Sequence, residues 1–307
     1  MTVVVTGGSG LVGAAVLDLL ADRGIDAVCF DRDDPTAGAA RVVHGDVRDE
    51  DAVSAVVRGA SAVIHLAGIV GVATDADPHR ATLVNVVGTS NVLEAARANG
   101  VRRVVLASSI MREAGRGLPH TGGDFPGPRN LYGAHKLVAE LEAERYRALH
   151  DLEPVAIAIA GTLGAGPRPA SPSRSPHLFL LQQVAAGQPA RLEADGRWQL
   201  PLRRTAQIAE LFVGAATHAE VEPYYAAGGR LTTLQELVDA TRAQQPDAAI
   251  ELGSGAWSSL AAVDAGAAER DFGLAEESVD EMVAATLADL RGLLATSAPP
   301  WSPARGA

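Results

Sequence analysis

An α/β fold built on a doubly wound parallel sheet is predicted by three observations on the 307-residue chain. Short apolar or β-branched runs alternate with stretches of helical spacing from Val3 to Ile159. The first run ends in a glycine-rich turn that opens directly into a helical pattern. After Gly161 the alternation gives way to a segment dense in Pro, Ser, Arg and Gly, which predicts a smaller C-terminal substrate domain.

The elements follow in order. Val3-Val4-Val5 reads as a first strand, and Leu11, Ala15 and Leu19 give Leu11 to Asp22 a helical face. Ala27 to Phe30, Arg41 to His44 and Ala62 to Leu66 read as further strands, with a helical stretch over 50–58. Val104 to Ala107 is a fifth strand, 131–149 a long helix, and Val155 to Ile159 a sixth strand. Short buried strands alternating with helices imply helices on both faces of the sheet. Residues 164–177 cannot pack as a regular element and read as a loop or lid. Helical patches are expected at 178–187, 206–217, 232–244 and 277–294, with one or two strands between Ala190 and Leu202 around Asp195-Gly196. The division expected is 1–163, 164–295 with some segments returning to the first unit, and a disordered tail over 296–307.

Composition excludes several function classes. With 47% hydrophobic residues the chain can bury a sizeable core, and a net charge of −11 implies no basic surface for nucleic acid or an anionic membrane. Cys29 is the only cysteine, so no internal disulfide can form, which fits a reducing compartment. Residues 3–21 imitate an export leader but lack a basic start and carry Asp18. No run of apolar residues is long enough to span a bilayer, and a cytoplasmic location is expected. The histidines lack ligand-like spacing, so no metal site is expected.

The turn from Gly7 to Gly13 is a candidate dinucleotide site. It fits G-x-G-x-x-G as Gly8, Gly10 and Gly13, and G-x-x-G-x-x-G as Gly7, Gly10 and Gly13. Missing side chains let backbone approach a pyrophosphate, and the helix start at Leu11 and Val12 supplies free N–H groups and a positive dipole end. Asp31 follows the second strand, where a carboxylate accepts from ribose hydroxyls and repels a 2′-phosphate. NAD is therefore favoured, while the adjacent Arg32 keeps NADP open.

Tyr132 and Lys136 are four apart on the long predicted helix, hence on one face. A phenol of pKa about 10 is a poor base at neutral pH. The nearby ammonium is expected to lower it, so that it takes the proton of a carbinol or returns one to an alkoxide. Ser108 and Ser109 end the fifth strand, where a hydroxyl can orient the substrate oxygen. The pattern points to redox chemistry on a carbinol or carbonyl, and the bland alternative is an amphipathic helix with a snorkelling lysine.

These motifs resemble the extended short-chain dehydrogenase/reductases of the NAD-dependent epimerase/dehydratase type, over residues 2–163 above all. The resemblance implies a Rossmann-type domain with Thr6 to Gly13 at the first turn, Asp31 on the ribose, and Asp46-Val47 against the adenine. It implies that His65-Leu66-Ala67-Gly68 lines the cofactor, and that Asn85 within Asn85 to Leu93 contributes from the next helix. It puts the catalytic serine at Ser109 with Ser108 as fallback, the acid/base at Tyr132, and Lys136 also on the nicotinamide ribose. Each of three residues keeps a second reading: His65 as a strand-end histidine satisfied by backbone, Asp46 as a helix N-cap, Asn85 as a polar residue of a half-buried helix.

The chain departs from relatives that act on nucleotide sugars. Ile110-Met111-Arg112-Glu113 stands where many carry V-Y-G, and the acidic pair of the dehydratases is missing after Ser109. Arg168, Arg174, Arg191, Arg197, Arg203 and Arg204 could meet phosphates or a carboxylate, or be solvated loop arginines. Three functions remain open: an epimerase or oxidoreductase of a sugar-like or nucleotide-sugar carbinol; a ketoreductase or dehydrogenase of a free sugar acid or secondary metabolite; a dinucleotide sensor without turnover. In the second, residues 110–130 and 164–177 would line an apolar pocket. Relatives pair through the helices bearing Asn85 and Tyr132, which implies a homodimer. Ala134, Leu137, Val138 and Leu141 could supply its apolar contact, or could equally face the sheet.

Overall fold

Val3 and Val5 of β1 (Thr2–Thr6) enter one apolar layer and Val4 enters the opposite one, because side chains alternate along a strand. A strand buried on both sides needs helices on both sides, which is why its sequence is continuously apolar. In the computed structural model, which describes residues 1–35, 40–71, 73–112, 127–166, 169–170, 175–255 and 259–296, the chain follows this logic through its first half. After β1 come α1 (Leu11–Asp22), β2 (Asp26–Asp31), β3 (Arg41–His44), α2 (Glu50–Val57) and β4 (Ala62–His65). Two short helices, α3 (Ala73–Ala76) and α4 (Pro78–Thr82), lead through a π-helical turn at Leu83–Val87 into α5 (Gly88–Ala98). Then follow β5 (Arg103–Ser109), a 3-10 turn at Ile110–Arg112, α6 (Leu131–Leu149) and β6 (Glu153–Ile159). Asp49 caps α2 by accepting from Ala52 N at 3.0 Å, and Asn130 caps α6 by accepting from Gly133 N at 2.8 Å.

The second half contributes β7 (Gly161–Leu163), α7 (Pro176–Ala185), β8 (Ala190–Leu192), β9 (Gln199–Arg204) and α8 (Thr205–Thr217). It continues with β10 (Tyr224–Ala227), β11 (Arg230–Thr233), α9 (Leu234–Gln244), β12 (Ile250–Leu252), α10 (Gly266–Phe272) and α11 (Val279–Thr296). Leu180, Leu200, Leu202, Leu237, Val283 and Leu287 gather there in a core of their own.

The fold is a Rossmann-type α/β architecture. Its main sheet has seven parallel strands in the order β10-β6-β5-β4-β1-β2-β3. The chain runs outward from β1 to β3, then restarts at β4 beside β1 and runs the other way. That reversal opens a crevice at the carboxyl ends of β1 and β4, where open sheets take their ligands.

Several placements go beyond the pattern read along the chain, which left strand pairing open and expected some later segments to return to the first unit. The two strands around Asp195-Gly196 do not pair with each other: β8 lies parallel to β12, and β9 lies between β11 and β7. β10 joins β6 as a seventh strand, and α8 sends Ile208, Leu211 and Phe212 into the layer that holds Val3 and Leu17. These are long-range pairings, and periodicity does not encode the partner of a strand. Residues 167–168 and 171–174 of the expected loop, most of the 110–130 segment, and the expected tail beyond Thr296 lie outside the described residues. No helix among the described residues is long and apolar enough to cross a membrane.

Candidate active site

The glycine turn is built by exclusion. Gly7 has φ +76°, and a Cβ there would stand 2.5 Å from Ala67 N. At Gly13 a Cβ would stand 2.2 Å from Gly7 O. Gly10 is less tight, at 3.2 Å from the same oxygen, and its N–H closes the turn onto Gly7 O at 3.1 Å. Gly8 faces the other way, against Cys29 Sγ and Leu17. Of the two registers open in the sequence, the structure therefore uses Gly7, Gly10 and Gly13. α1 starts at Gly10 without a side-chain cap, so its first N–H groups face the crevice rather than an internal acceptor.

A cleft of about 630 Å³ runs over this turn. Gly7, Gly10, Leu11, Val12, Gly13, Asp31, Arg32, Asp46, Val47, Leu66, Ala67 and Gly68 line it, as do Ser109, Tyr132 and Lys136. The Asp31 carboxylate reaches back to the turn, accepting from Ser9 N at 2.9 Å and from Arg32 N at 2.7 Å. Asp46 is gripped by Arg48, whose Nε and Nη2 lie at 3.0 and 2.7 Å and hold its carboxyl below the usual range. Asp49 caps the following helix, so Asp46 does not serve as that N-cap.

Three predicted residues, Asn85, Ser108 and His65, stand behind the wall rather than in it. Asn85 holds the loop after β4: its Oδ1 accepts from Ile69 N and its Nδ2 donates to Ile69 O, both at 2.8 Å. Asn85 Nδ2 also meets His135 Nδ1 at 3.3 Å, and His135 Nε2 meets Thr82 Oγ1 at 3.2 Å. Burial, then Lys136, lowers the His135 pKa, and a neutral ring with its proton on Nε2 satisfies both contacts. Ser108 turns away from the cleft and donates to Glu140, because consecutive strand residues face opposite sides. Ser109 is the serine that the pleat points at the cleft. His65 is buried, with Nδ1 at 2.7 Å from Thr6 Oγ1 and Nε2 at 3.1 Å from Thr89 Oγ1. Its partners are hydroxyls, not the backbone expected; burial, with Lys136 adding to it, pushes the imidazole down to about 3.

Ser109 and Tyr132 line the cleft together, and the Ser109 side chain favours the ionised form of the phenol. Lys136 Nζ donates to Ala107 O at 2.7 Å and lies 5.6 Å from the centre of the Tyr132 ring. Burial pushes Tyr132 up to about 12, against a smaller lowering by Ser109. The expected lowering by the ammonium does not prevail, since Lys136 is directed to the Ala107 carbonyl and desolvation outweighs it. Burial likewise draws Lys136 down to about 8, with Glu140 opposing. At neutral pH the pair is thus a phenol beside an ammonium. A compositional signal also marks this position: Lys136 is the only lysine in a chain with 25 arginines.

Another wall of the cleft draws on the 164–177 segment expected to line an apolar pocket, and adds residues outside it that the sequence did not single out. It comprises Ile159, Ala160 and Thr162 near the ends of β6 and β7, Gly164, Gly166, Pro169 and Ala170 beyond them, and Ser175, Leu178 and Gln182 of α7. None of these described residues carries a charge, while Arg32 and Arg80 line the cleft elsewhere. Four of the candidate anion-binding arginines are engaged elsewhere: Arg191 with Glu251, Arg197 with Asp195, Arg203 with Glu269, and Arg204 with Glu277. Arg168 and Arg174 lie outside the described residues.

The model of the NAD dependent epimerase/dehydratase family matches residues 3–227. A 3 beta-hydroxysteroid dehydrogenase/Delta 5-->4-isomerase of Mycobacterium tuberculosis is 35% identical over 177 residues, covering 53% of this chain and 48% of the relative. The match thus spans about half the length of that relative. A UDP-glucose 4-epimerase of Mycolicibacterium smegmatis is 32% identical over 219 residues, covering 64% of this chain and 67% of the relative. Among solved structures, MoeE5 in complex with UDP-glucose and NAD superposes with a TM-score of 0.84 at 24% identity, covering 96% of this chain and 100% of that one. This last likeness is one of fold.

Proposed function

The chain belongs to the NAD dependent epimerase/dehydratase family, and on that premise we propose that it is an oxidoreductase interconverting a secondary carbinol and its ketone, with Tyr132 carrying the proton. The observation that supports this most is the convergence of Ser109, Tyr132 and Lys136 on the same cleft as the glycine turn. The close-fitting Gly7 and Gly13, the uncapped start of α1 and the Asp31 carboxylate fit a dinucleotide. Gly10 to Gly13 would hold its pyrophosphate, Asp31 a ribose, Asp46 and Val47 the adenine end, and Lys136 the nicotinamide ribose. Bound there, NAD supplies the hydride acceptor and NADH the donor. Ser109 positions the substrate oxygen, and the Tyr132 phenol is already in the state that protonates a forming alkoxide. Asp31→Ala should weaken NAD binding about tenfold, one charged hydrogen-bonding partner, and leave NADP binding unchanged or improved. Titration calorimetry with both cofactors checks this; an unchanged NAD to NADP ratio would remove Asp31 from the ribose.

The uncharged residues described on this wall support a weakly polar substrate over a nucleotide diphosphate, for which the cleft offers only Arg32, Arg80 and Lys136 as cations among the described residues. The steroid dehydrogenase relative is consistent with that reading. NADH oxidation with a panel of cyclic ketones, run beside UDP-glucose and UDP-galactose interconversion, separates the two. Turnover of ketones alone is expected; interconversion of the nucleotide sugars would overturn the assignment. The elements from residue 164 onward, which bring the uncharged wall, would then select the substrate.

A homodimer through α5 and α6 completes the proposal. Val138 and Leu141 do not face the sheet: they are 36% and 53% exposed, and Val87 is 39% exposed. The sheet side of α6 is taken by His135, Lys136, Ala139 and Ala143. Leu141→Glu should convert a dimer to a monomer in sedimentation velocity, whereas a wild-type monomer would end this part of the proposal.

A further inference from the structure

The run at Ile110–Arg112, where the sequence leaves its relatives' pattern, carries a buried cation. Arg112 is 5% exposed. Its Nη1 donates to Glu140 Oε2 at 2.6 Å, and its guanidinium lies 4.7 Å from the centre of the Tyr224 ring on β10. Glu140 also accepts from the Ser108 hydroxyl. Ser108 precedes Ser109 on β5, and Glu140 follows Lys136 by one turn of α6. The same two segments touch again at Gly133, where a Cβ would stand 2.3 Å from Met111 O. The end of β5 and the start of α6 are therefore joined at two points, one of backbone and one of charge.

We propose that Arg112 and Glu140 form a positioning pair for the Ser109–Tyr132–Lys136 site. The proposal deepens the catalytic reading above and rests on it for its consequence, but not for its test. Residues four apart on a helix meet readily, and a lysine and a glutamate at that spacing form an ion pair when nothing intervenes. Here Arg112 takes the Glu140 carboxylate, and the Lys136 ammonium is left on Ala107 O, facing the cleft. The carboxylate still favours the ammonium from a distance, against the burial that draws it down. Of the described titratable groups beside Lys136, His65 on β4 and His135 on α6 are held neutral, and Tyr132 is held as the phenol. Ser108, in turn, ties the strand that presents Ser109 to the same carboxylate.

Because Lys136 is the only lysine, the pH dependence of its acetylation, read by peptide mass apart from the N-terminus, reports its titration without any substrate. In Arg112→Met the released carboxylate turns toward Lys136, and the titration moves up from its wild-type midpoint. In the double variant Arg112→Met/Glu140→Gln, which removes both charges of the pair at similar volume, it moves down. In both variants kcat for NADH oxidation falls about tenfold with little change in the KM for NADH, since the nucleotide contacts remain. Pairs that serve packing alone predict a lower melting temperature with the Lys136 titration unmoved in both variants, and that result overturns the proposal. If Arg112→Met does not fold, the double variant decides alone. A wild-type protein without turnover but with both titration shifts would instead refute the catalytic reading and keep the pair.

Discussion

Replacing Tyr132 by phenylalanine abolishes turnover and leaves NAD binding in place. The substitution keeps the ring and removes the hydroxyl whose ionisation Ser109 favours. The groups that would hold the dinucleotide, from Gly10 to Gly13 and at Asp31, do not depend on it. General acid catalysis contributes about 10²- to 10⁴-fold, so kcat should fall by about 10³. Burial holds the phenol near 12 in the free protein, so it is a proton donor throughout the neutral range. Reduction of a ketone therefore starts from the correct protonation state, whereas oxidation of a carbinol must first generate the phenolate. The check is steady-state NADH absorbance together with NAD calorimetry on the same preparation. Activity at the wild-type level would refute Tyr132 as acid/base, and NAD binding without wild-type turnover of any carbinol or ketone would favour the non-catalytic sensing role.

Gly13→Ala is expected to cost NAD binding more than a change at Gly10. A Cβ at residue 13 would lie 2.2 Å from Gly7 O and 2.7 Å from Gly8 Cα, and both atoms are backbone of the same tight turn. Neither can rotate aside, so α1 must tilt away and carry its N-terminal N–H groups with it. Overpacking of this kind costs about 2 kcal/mol, roughly a thirtyfold loss in affinity if it falls on the bound state. At Gly10 the corresponding approach is 3.2 Å, which a shift of a few tenths of an ångström relieves. Gly24→Ala provides the control: its φ of +64° makes the change cost stability, but nothing lies near its Cβ and it is not in the cleft. Equal NAD affinity in the Gly13 and Gly24 variants would remove the turn from the binding site.

What could be read in the sequence was local. The strand, turn and helix from Val3 to Asp22 announced themselves by a β-branched run, clustered glycines and a period near four. The same holds for Tyr132 and Lys136, whose shared face follows from spacing on any helix. Asp31 needed only its place after the second strand. These features are fixed by neighbours within a few residues, so a linear pattern contains them.

The tertiary structure decided whatever depends on partners far along the chain. Gly7 rather than Gly8 lines the cleft, with Leu66 and Ala67 packed against the first and Cys29 against the second. Ser109 rather than Ser108 faces the cleft because α6 offers Glu140 to the other side of the strand. Asn85 was legible as a special residue, but not as the brace of the Ile69 loop. The Tyr132 pKa rises where local charge alone suggested a fall, because desolvation is a property of everything packed around the ring. β10 takes its place beside β6, and Arg203 and Arg204 find carboxylates tens of residues away. Alternation along a chain states that a residue will be buried; only the assembled layers state against what, and burial against a particular neighbour is what sets a charge, a hydrogen bond and a reactive face.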